Sequence, residues 1–162
     1  MSSLSGSQRG TAYWLTPVKA HADKAPEKVV RDLVINRHVY AFHRQTQVRN
    51  SVKSGDWMCF YASGLGVVAH ARVASEIENK VHRGVPREYS WTFRLEEVHA
   101  YIDDPMVLDF AVRQELDAFR GRDLTKHWAW FVLTTRKITD NDFNLLTHTK
   151  KTNDGSTMTI CN

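Results

Sequence analysis

Cysteine and long apolar stretches are scarce in this sequence. Its 162 residues include two cysteines, Cys59 and Cys161, which are too few to build a disulfide framework. Cys59 stands in an apolar run that is typical of a buried thiol, so we expect the chain to work in a reducing cytoplasm. No apolar stretch reaches the roughly 18 residues that a membrane-spanning helix needs. Residues 1–10 also lack the apolar core of a signal peptide.

Motifs of common catalytic and metal sites are missing as well. There is no P-loop, no G-x-G-x-x-G, no G-x-S-x-G, no H-E-x-x-H and no C-x-x-C. Glu78 and Lys80 form an E-x-K triplet that, together with Asp56, resembles the residues of metal-dependent nucleases. Such a triplet is common by chance, and this one follows a predicted strand in a polar loop. We therefore expect a non-catalytic protein without metal or cofactor.

The composition is that of one ordinary globular domain. Hydrophobic residues make up 42% of the chain and charged residues 25%, which excludes a disordered or fibrous class. We expect one domain over residues 12–147, between flexible tails at 1–11 and 148–162. The net charge of +4 is a mild excess that permits a polyanionic partner without requiring one.

Charge is distributed unevenly along the chain. Residues 31–56 carry five Arg or Lys against two Asp, whereas residues 96–117 carry seven acidic residues against Arg113. Arg120, Arg122 and Lys126 then follow with only Asp123 opposing them. This pattern indicates one positive and one negative side, or alternatively the solvated faces of ordinary helices.

Hydrophobic periodicity predicts mixed secondary structure. The predicted strands cover residues 13–15, 57–61, 67–75, 89–95 and 128–135. The predicted helices cover 23–36, 46–53, 105–119 and a last segment that begins at Thr139. Hairpins dominate the middle of the chain, so we expect an α+β fold with a curled, mostly antiparallel sheet or small β-barrel and flanking helices.

Local patterns add three finer predictions. Alternation places Trp57, Cys59 and Tyr61 on one face of their strand and the residues between them on the other. In the next strand, the residues at 67, 69, 71 and 73 share a face. Thr139 and Asp142 resemble a capping box, in which each side chain binds the other residue's backbone N–H.

Two segments place aromatic rings beside cations. Tyr40 and Phe42 lie among arginines and histidines, and Trp128 and the tryptophan at 130 follow a basic stretch. Nucleic-acid sites need this combination, because bases stack on rings while phosphates pair with cations. The alternative is that these rings belong to the core.

The order of several segments carries a family resemblance. Residues 13–15 (Tyr-Trp-Leu), 39–42 (Val-Tyr-Ala-Phe), 52–56 (Val-Lys-Ser-Gly-Asp), 66–75 and 126–128 (Lys-His-Trp) follow one another as in an EVE domain. The EVE family belongs to the PUA-like superfamily and is related to YTH and ASCH domains. The resemblance covers about residues 12–147. Within the second segment the family usually has Val-Trp-Gly-Val, so this chain departs from the family beside the expected pocket.

The resemblance implies a reader of modified bases. EVE relatives include modules that bind modified cytosine in DNA, and YTH relatives hold a methylated adenine of RNA in an aromatic cage. The expected partner is therefore DNA or RNA that carries a modified base, with a separate effector protein as a further expected partner. A flipped base would be sandwiched between rings and recognised at its polar edge.

Carrying the family pattern over by position gives the candidate site residues. Tyr40 and Phe42 are the expected cage walls, and Thr16 and Ser63 the expected hydrogen-bonding partners of the base edge. The candidates for the opposite wall or floor are Trp14, Trp57, Tyr61 and Trp128. The expected phosphate contacts are Arg37, Arg44, Arg49, Arg120, Arg122 and Lys126.

Two other functions remain compatible with the sequence. The same fold could bind a small molecule or a nucleoside, or act as an enzyme on a modified nucleotide. The chain could also be an adaptor whose basic face meets an acidic protein. Salt dependence is a cheap test, because nucleic-acid binding weakens steeply as salt rises, with a slope set by the number of phosphates contacted, whereas binding of a buried small ligand is nearly indifferent to salt.

Overall fold

The computed structural model describes residues 10–147 except residue 22, and the predicted tail at 148–162 lies outside the described residues. These residues contain seven strands: β1 (Tyr13–Val18), β2 (Val39–Phe42), β3 (Trp57–Ala62), β4 (Gly66–Val73), β5 (Glu78–Asn79), β6 (Trp91–Ala100) and β7 (Arg136–Ile138). The helices are α1 (Pro26–Val29), which continues as a π-helix (Val30–Asn36), α2 (Phe110–Glu115) and α3 (Asp140–Leu146). Short 3₁₀ helices cover Gln47–Asn50, Asp117–Phe119 and Ala129–Val132. In the described part of the chain, no helix combines the length and the apolar character needed to cross a membrane.

The strands form one curled sheet. Its order is β2-β6-β4-β3-β1-β7, and β5 adds to β6. Only β1 and β3 are parallel to each other, whereas the other described pairs are antiparallel. The predicted α+β class with a curled, mostly antiparallel sheet and flanking helices is confirmed, and the sheet closes into a half-barrel.

Both faces of the sheet are buried. The inner face packs against α1 and the π-helix, where Leu33 and Val34 join Phe60 and Phe93 in one core cluster. The outer face packs against α3 and the 3₁₀ helix Ala129–Val132. Its cluster comprises Leu15, Cys59, Leu116, Phe131, Phe143 and other apolar residues. Burial on both faces explains why β3 and β4 read as nearly continuous apolar runs.

A β-bulge shifts the predicted alternation. Trp57, Cys59 and Tyr61 share the outer face of β3, as predicted. The register with β4 shifts after Phe60, so that one residue of β4 is left between two paired positions. As a result Val67 joins the outer cluster while the residues at 69, 71 and 73 join the inner one. The prediction that Val67 shares their face is wrong for this reason.

Two of the elements predicted for the C-terminal half of the chain are wrong. The expected strand at 128–135 is a 3₁₀ helix followed by the short β7. In the 3₁₀ helix Trp130 and Phe131 both pack on the outer cluster, where their ring centroids lie 5.0 and 5.1 Å from that of Phe119. An alternating strand would point these two neighbours to opposite faces. The expected helix at 105–119 starts later, because Met106 forms an extended bridge with Val67. The segment approaches so closely that a side chain at Gly66 would collide with the Met106 carbonyl.

Three other segments also differ from expectation. Residues 39–42, for which neither a strand nor a helix was predicted, form β2, and the polar loop expected around the E-x-K triplet contains β5. The short helix expected at 46–53 is the 3₁₀ turn Gln47–Asn50. These are small elements whose pairing partners lie far away in sequence, so local periodicity carries little information about them.

Only one of the two hydrogen bonds of the predicted capping box forms at the start of α3. The Thr139 hydroxyl accepts the backbone N–H of Asp142 at 3.0 Å, as predicted. The Asp142 carboxylate does not return to Thr139. It accepts the backbone N–H groups of Asp117 at 2.6 Å and Ala118 at 3.1 Å. The acid thus joins α3 to the start of the 3₁₀ helix Asp117–Phe119 instead of closing its own cap.

One buried carboxylate organises the start of the sheet. Asp56 is 2% exposed and lies just before β3. Its side chain accepts the indole N–H of Trp14 at 2.9 Å, the backbone N–H of Ala12 at 3.2 Å and the backbone N–H of Lys53 at 2.9 Å. These bonds hold the entry of β1 beside the entry of β3, where Tyr13 pairs with Trp57. Asp56 therefore sets the register of the parallel pair.

We expect Asp56→Ala to lower the free energy of unfolding by about 3 kcal/mol or more. Hydrogen bonds to a charged acceptor are worth about 1.5–3 kcal/mol each, and the buried donors would lose their acceptor. Urea unfolding followed by tryptophan fluorescence measures the change. Asp103→Ala, at an exposed position, is the control and should cost no more than about 0.5 kcal/mol. Equal costs for the two variants would contradict the role given to Asp56.

Candidate functional site

An open cavity of about 560 Å³ lies at one end of the half-barrel, within the usual range of ligand pockets. Four parts of the chain line it: the end of β1, β2 with the loop at 43–48 that follows it, Tyr89, and the segment at 133–135. The cavity therefore exists only when segments from both halves of the chain have come together.

Two threonine hydroxyls lie at the base of the cavity. Thr16 on β1 and Thr135 just before β7 both line it, and their hydroxyl oxygens are 2.7 Å apart. Pairing of Leu15 with Arg136 places the two threonines side by side. Both are buried, and as lining residues they can offer hydrogen-bonding capacity to a group that enters the cavity. Thr16 was predicted as such a group, whereas Thr135 was missed.

Tyr40 and Phe42 line the cavity from β2, but their rings are mostly core. Tyr40 is 4% exposed and Phe42 2%. The Tyr40 ring packs edge-on against Phe60 at 5.0 Å between centroids, and the Phe42 ring lies 5.1 Å from Phe93. Burial raises the pKa of Tyr40 above its usual range. The two residues thus meet the cavity without offering it a free ring face.

A second aromatic group, which was not predicted from the sequence, lies at the cavity. Tyr89 and His43 both line it, and their ring centroids are 5.2 Å apart in a perpendicular arrangement. The buried His21 lies 4.4 Å from the Tyr89 ring. Burial lowers the pKa of His21, and the nearby Lys24 lowers it further. No local pattern reveals this group, because the three rings come from three separate segments.

The polar lining has few charges and no carboxylate. Lys19 and His43 are the basic residues among the described lining residues. Neutral hydrogen-bonding groups make up most of the rest: Thr16, Tyr40, Gln45, Thr46, Gln47, Tyr89, Thr134 and Thr135. Such a lining suits a neutral or anionic ligand with hydrogen-bonding edges, because a cation would meet no compensating charge.

Five predicted ligand residues lie away from the cavity lining. Trp14 packs in the inner core and donates its indole N–H to Asp56. Trp57, Tyr61 and Trp128 pack against the outer core. The fifth, the serine at 63, occupies the exposed turn between β3 and β4. The structure therefore gathers Thr16, Tyr40 and Phe42 of the predicted set and places the others elsewhere.

The predicted phosphate contacts fall into two classes. Arg37 and Arg120 already have acidic partners: Arg37 pairs with Asp32 at 3.1 Å and Arg120 with Asp117 at 2.7 Å. Arg44, Arg49, Arg122 and Lys126 have no ion pair within the described part of the chain.

Two of these cations are fixed beside aromatic rings. The Arg49 guanidinium lies 5.2 Å from the Trp91 ring and donates to the Thr46 carbonyl at 2.9 Å. This hydrogen bond ties the Arg49 side chain to the loop at 43–48. Arg122 lies 4.1 Å from the ring of Trp130. Contacts of this kind hold a guanidinium in place while leaving its charge available to a ligand.

Arg136 adds a cation that the sequence analysis missed. It follows the cavity residue Thr135, and its guanidinium lies 5.1 Å from the Trp130 ring, which also carries Arg122. Its Nε atom is buried without a hydrogen-bond partner. Burial lowers the pKa of Arg136, and the neighbouring Arg122 lowers it further. Arg122, Trp130 and Arg136 form what we call the Arg–Trp–Arg cluster, in which two guanidinium groups share one indole ring on the outer face of the sheet.

The nuclease-like residues do not form a metal site. Asp56 is buried and its carboxylate binds the three N–H donors described above, whereas Glu78 is exposed on β5. Among the described residues, no group of three or more His, Cys, Asp or Glu side chains is arranged to hold a metal ion. The E-x-K triplet is therefore a feature of an exposed strand.

Comparison with known proteins identifies the fold. No protein-family model and no curated protein matches the chain. The Mmi1 YTH domain, also solved with RNA, has a TM-score of 0.54 and 11% identity over 91% of this chain and 99% of that domain. The YTH domain of the Zygosaccharomyces rouxii MRB1 protein in complex with N6-methyladenosine RNA has a TM-score of 0.54 and 12% identity over 84% of each chain. Protein Atu2648 from Agrobacterium tumefaciens has a TM-score of 0.51 and 18% identity over 84% of this chain and 90% of that one.

We expect Tyr40→Ala to lower the free energy of unfolding by about 3–5 kcal/mol, the usual cost of deleting a buried aromatic ring. Tyr40→Phe keeps the ring and should cost about 0.5–1.5 kcal/mol, since it loses at most one hydrogen bond. Urea unfolding of both variants measures these changes. A cost below about 1 kcal/mol for Tyr40→Ala would show that the ring is not part of the core.

Proposed function

We propose that this chain, which has the YTH-like, PUA-like fold, is a non-catalytic reader module that binds RNA and inserts a modified base into the cavity. The observation that carries the proposal is the open, carboxylate-free cavity, whose lining residue Thr135 is followed in sequence by Arg136 of the Arg–Trp–Arg cluster. The RNA complexes of the Mmi1 and MRB1 YTH domains support it, because the fold they share with this chain accommodates RNA.

The cavity lining fits the edge of an uncharged base. The hydroxyls of Thr16 and Thr135 and the amides of Gln45 and Gln47 supply donors and acceptors. Stacking on an aromatic side chain contributes about 1–3 kcal/mol per base. An added methyl group in an apolar slot contributes roughly 0.8 kcal/mol. A preference for a methylated base therefore needs a close steric fit as well as apolar contact.

The cations around the cavity supply phosphate contacts. Arg122 and Arg136 lie together on Trp130 beside Thr135, and Arg44 is exposed on the loop at 43–48. A strand whose base enters the cavity would pass one or both of these positions. Neutralising phosphates there releases counterions, which makes the affinity dependent on salt.

Modified cytosine in DNA is the second candidate ligand. The segment at 52–56 resembles the Val-Lys-x-Gly-Asp segment of EVE domains. Its aspartate, Asp56, holds the first strands of the sheet together in this structure. This structural role gives a physical reason for an aspartate at the end of the segment and favours an EVE-like member of the PUA-like superfamily. Binding measurements with each modified base will identify which base the cavity accepts.

Fluorescence titration of the intact protein tests the proposal. The probes are short single-stranded RNAs with adenosine or N6-methyladenosine at one position, matched DNAs with cytosine or 5-methylcytosine, and the free nucleosides. We expect tighter binding to one modified strand and an affinity that falls steeply with salt. Equal binding to modified and unmodified strands would reject the reader function. Salt-insensitive binding of a free nucleoside alone would show a small-molecule site.

Charge-neutralising variants separate phosphate contacts from structural ion pairs. We expect Arg122→Gln to weaken binding of modified and unmodified RNA to the same extent and to reduce the slope of log affinity against log salt by about 0.7, the value for one phosphate of a single strand. Arg37→Gln is the matched control, because Arg37 already pairs with Asp32, and it should leave the slope nearly unchanged. An unchanged slope for Arg122→Gln would remove Arg122 from the interface.

A further inference from the structure

We propose that the bound base stacks on Tyr89, with His43 at the edge of the stack. This inference rests on the proposed function and names the aromatic surface of the same cavity. The sequence pattern pointed to Tyr40 and Phe42 as the cage walls. The structure instead favours Tyr89, which lies in the loop before β6 and which the family resemblance did not indicate.

The accessibility of the ring to a ligand distinguishes Tyr89 from Tyr40 and Phe42. A stacking wall must offer a face to its ligand, and about 96–98% of the surface of Tyr40 and Phe42 is already covered by protein. Their rings are engaged with Phe60 and Phe93. Tyr89 lines the cavity and is only partly buried. It therefore retains ring surface that a base can cover.

The rings behind and beside Tyr89 hold its orientation. His21 lies 4.4 Å from the Tyr89 ring, and His43 meets it perpendicularly at 5.2 Å. Because His21 is buried and its pKa is lowered by that burial, the ring behind Tyr89 is uncharged at neutral pH. Tyr89 is thus held by packing against a neutral ring, while it still lines the cavity and is only partly buried.

The backbone around Tyr89 is also fixed. The N–H of Tyr89 donates to the Pro86 carbonyl at 2.9 Å, and the N–H of Arg44 donates to the Glu88 carbonyl at 2.7 Å. The second bond joins the loop before β6 to the loop at 43–48, which forms another part of the cavity wall. A wall held in its binding position before the ligand arrives loses little entropy on binding.

His43 contributes a hydrogen-bond donor beside this wall. Its Nδ1 atom accepts the backbone N–H of Gln45 at 3.1 Å, so the neutral imidazole carries its proton on Nε2. That tautomer offers an N–H to an acceptor such as a base ring nitrogen or carbonyl. The same bond orders the start of the Gln45–Gln47 segment.

Substitution of Tyr89 tests the inference with N6-methyladenosine RNA and 5-methylcytosine DNA as probes. We expect Tyr89→Leu to weaken the tighter of the two complexes by about 5- to 150-fold, the range that corresponds to the loss of one base–aromatic stack. Tyr89→Phe keeps the ring and should bind nearly as well as the parent protein. The unfolding midpoint in urea checks that both variants are folded.

The outcomes distinguish this inference from the proposed function. If the parent protein prefers no modified strand, the reader function itself fails. If the parent shows a preference and folded Tyr89→Leu binds with unchanged affinity, only the role of Tyr89 is wrong. Should Tyr89→Leu fail to fold, nuclear Overhauser contacts between the base and the Tyr89 ring in the parent complex decide the question. Their absence in an assigned complex would overturn the inference.

Discussion

The carboxylate of Asp56 is the interaction on which the cavity depends. It ties the entry of β1 to the entry of β3 and so fixes the parallel register of those strands. That register places Thr16 at the end of β1 that faces the cavity, and pairing of β1 with β7 then brings Thr135 to it. A contact at one end of the strand thus determines the position of the polar groups at the other end.

The edge strand β7 separates two kinds of surface. Thr135, just before it, lines the cavity, whereas Arg136 packs on Trp130 at the outer face. Because successive residues of an extended segment point to opposite sides, one short segment presents a hydroxyl to the cavity and a guanidinium to the outer face. Adjacent residues thus supply a neutral polar group and a charge without sharing a pocket.

The sequence predicts the fold better than the site, for physical reasons. Alternation in β3 and the hairpins in the middle of the chain follow from local chemistry, and with the EVE resemblance they were enough to predict the curled sheet. Tyr89 and His43 reach the cavity through a long-range bond between Arg44 and Glu88, which leaves no periodic trace. Trp128 and Trp130 are two residues apart, which is the spacing of one face of a strand. Packing against arginines and the outer core nevertheless selects a 3₁₀ turn.

The place of β1 in the sheet has a consequence for how the protein is made. A ribosome produces β1 first, yet its neighbours in the finished sheet are β3 and β7, and β7 lies more than a hundred residues later. Contacts over such distances form late, because a long loop must close before they form. The nascent chain therefore exposes one edge of β1 until the C-terminal segment leaves the exit tunnel. Since Thr135 comes from that segment, the completed cavity is among the last features to form.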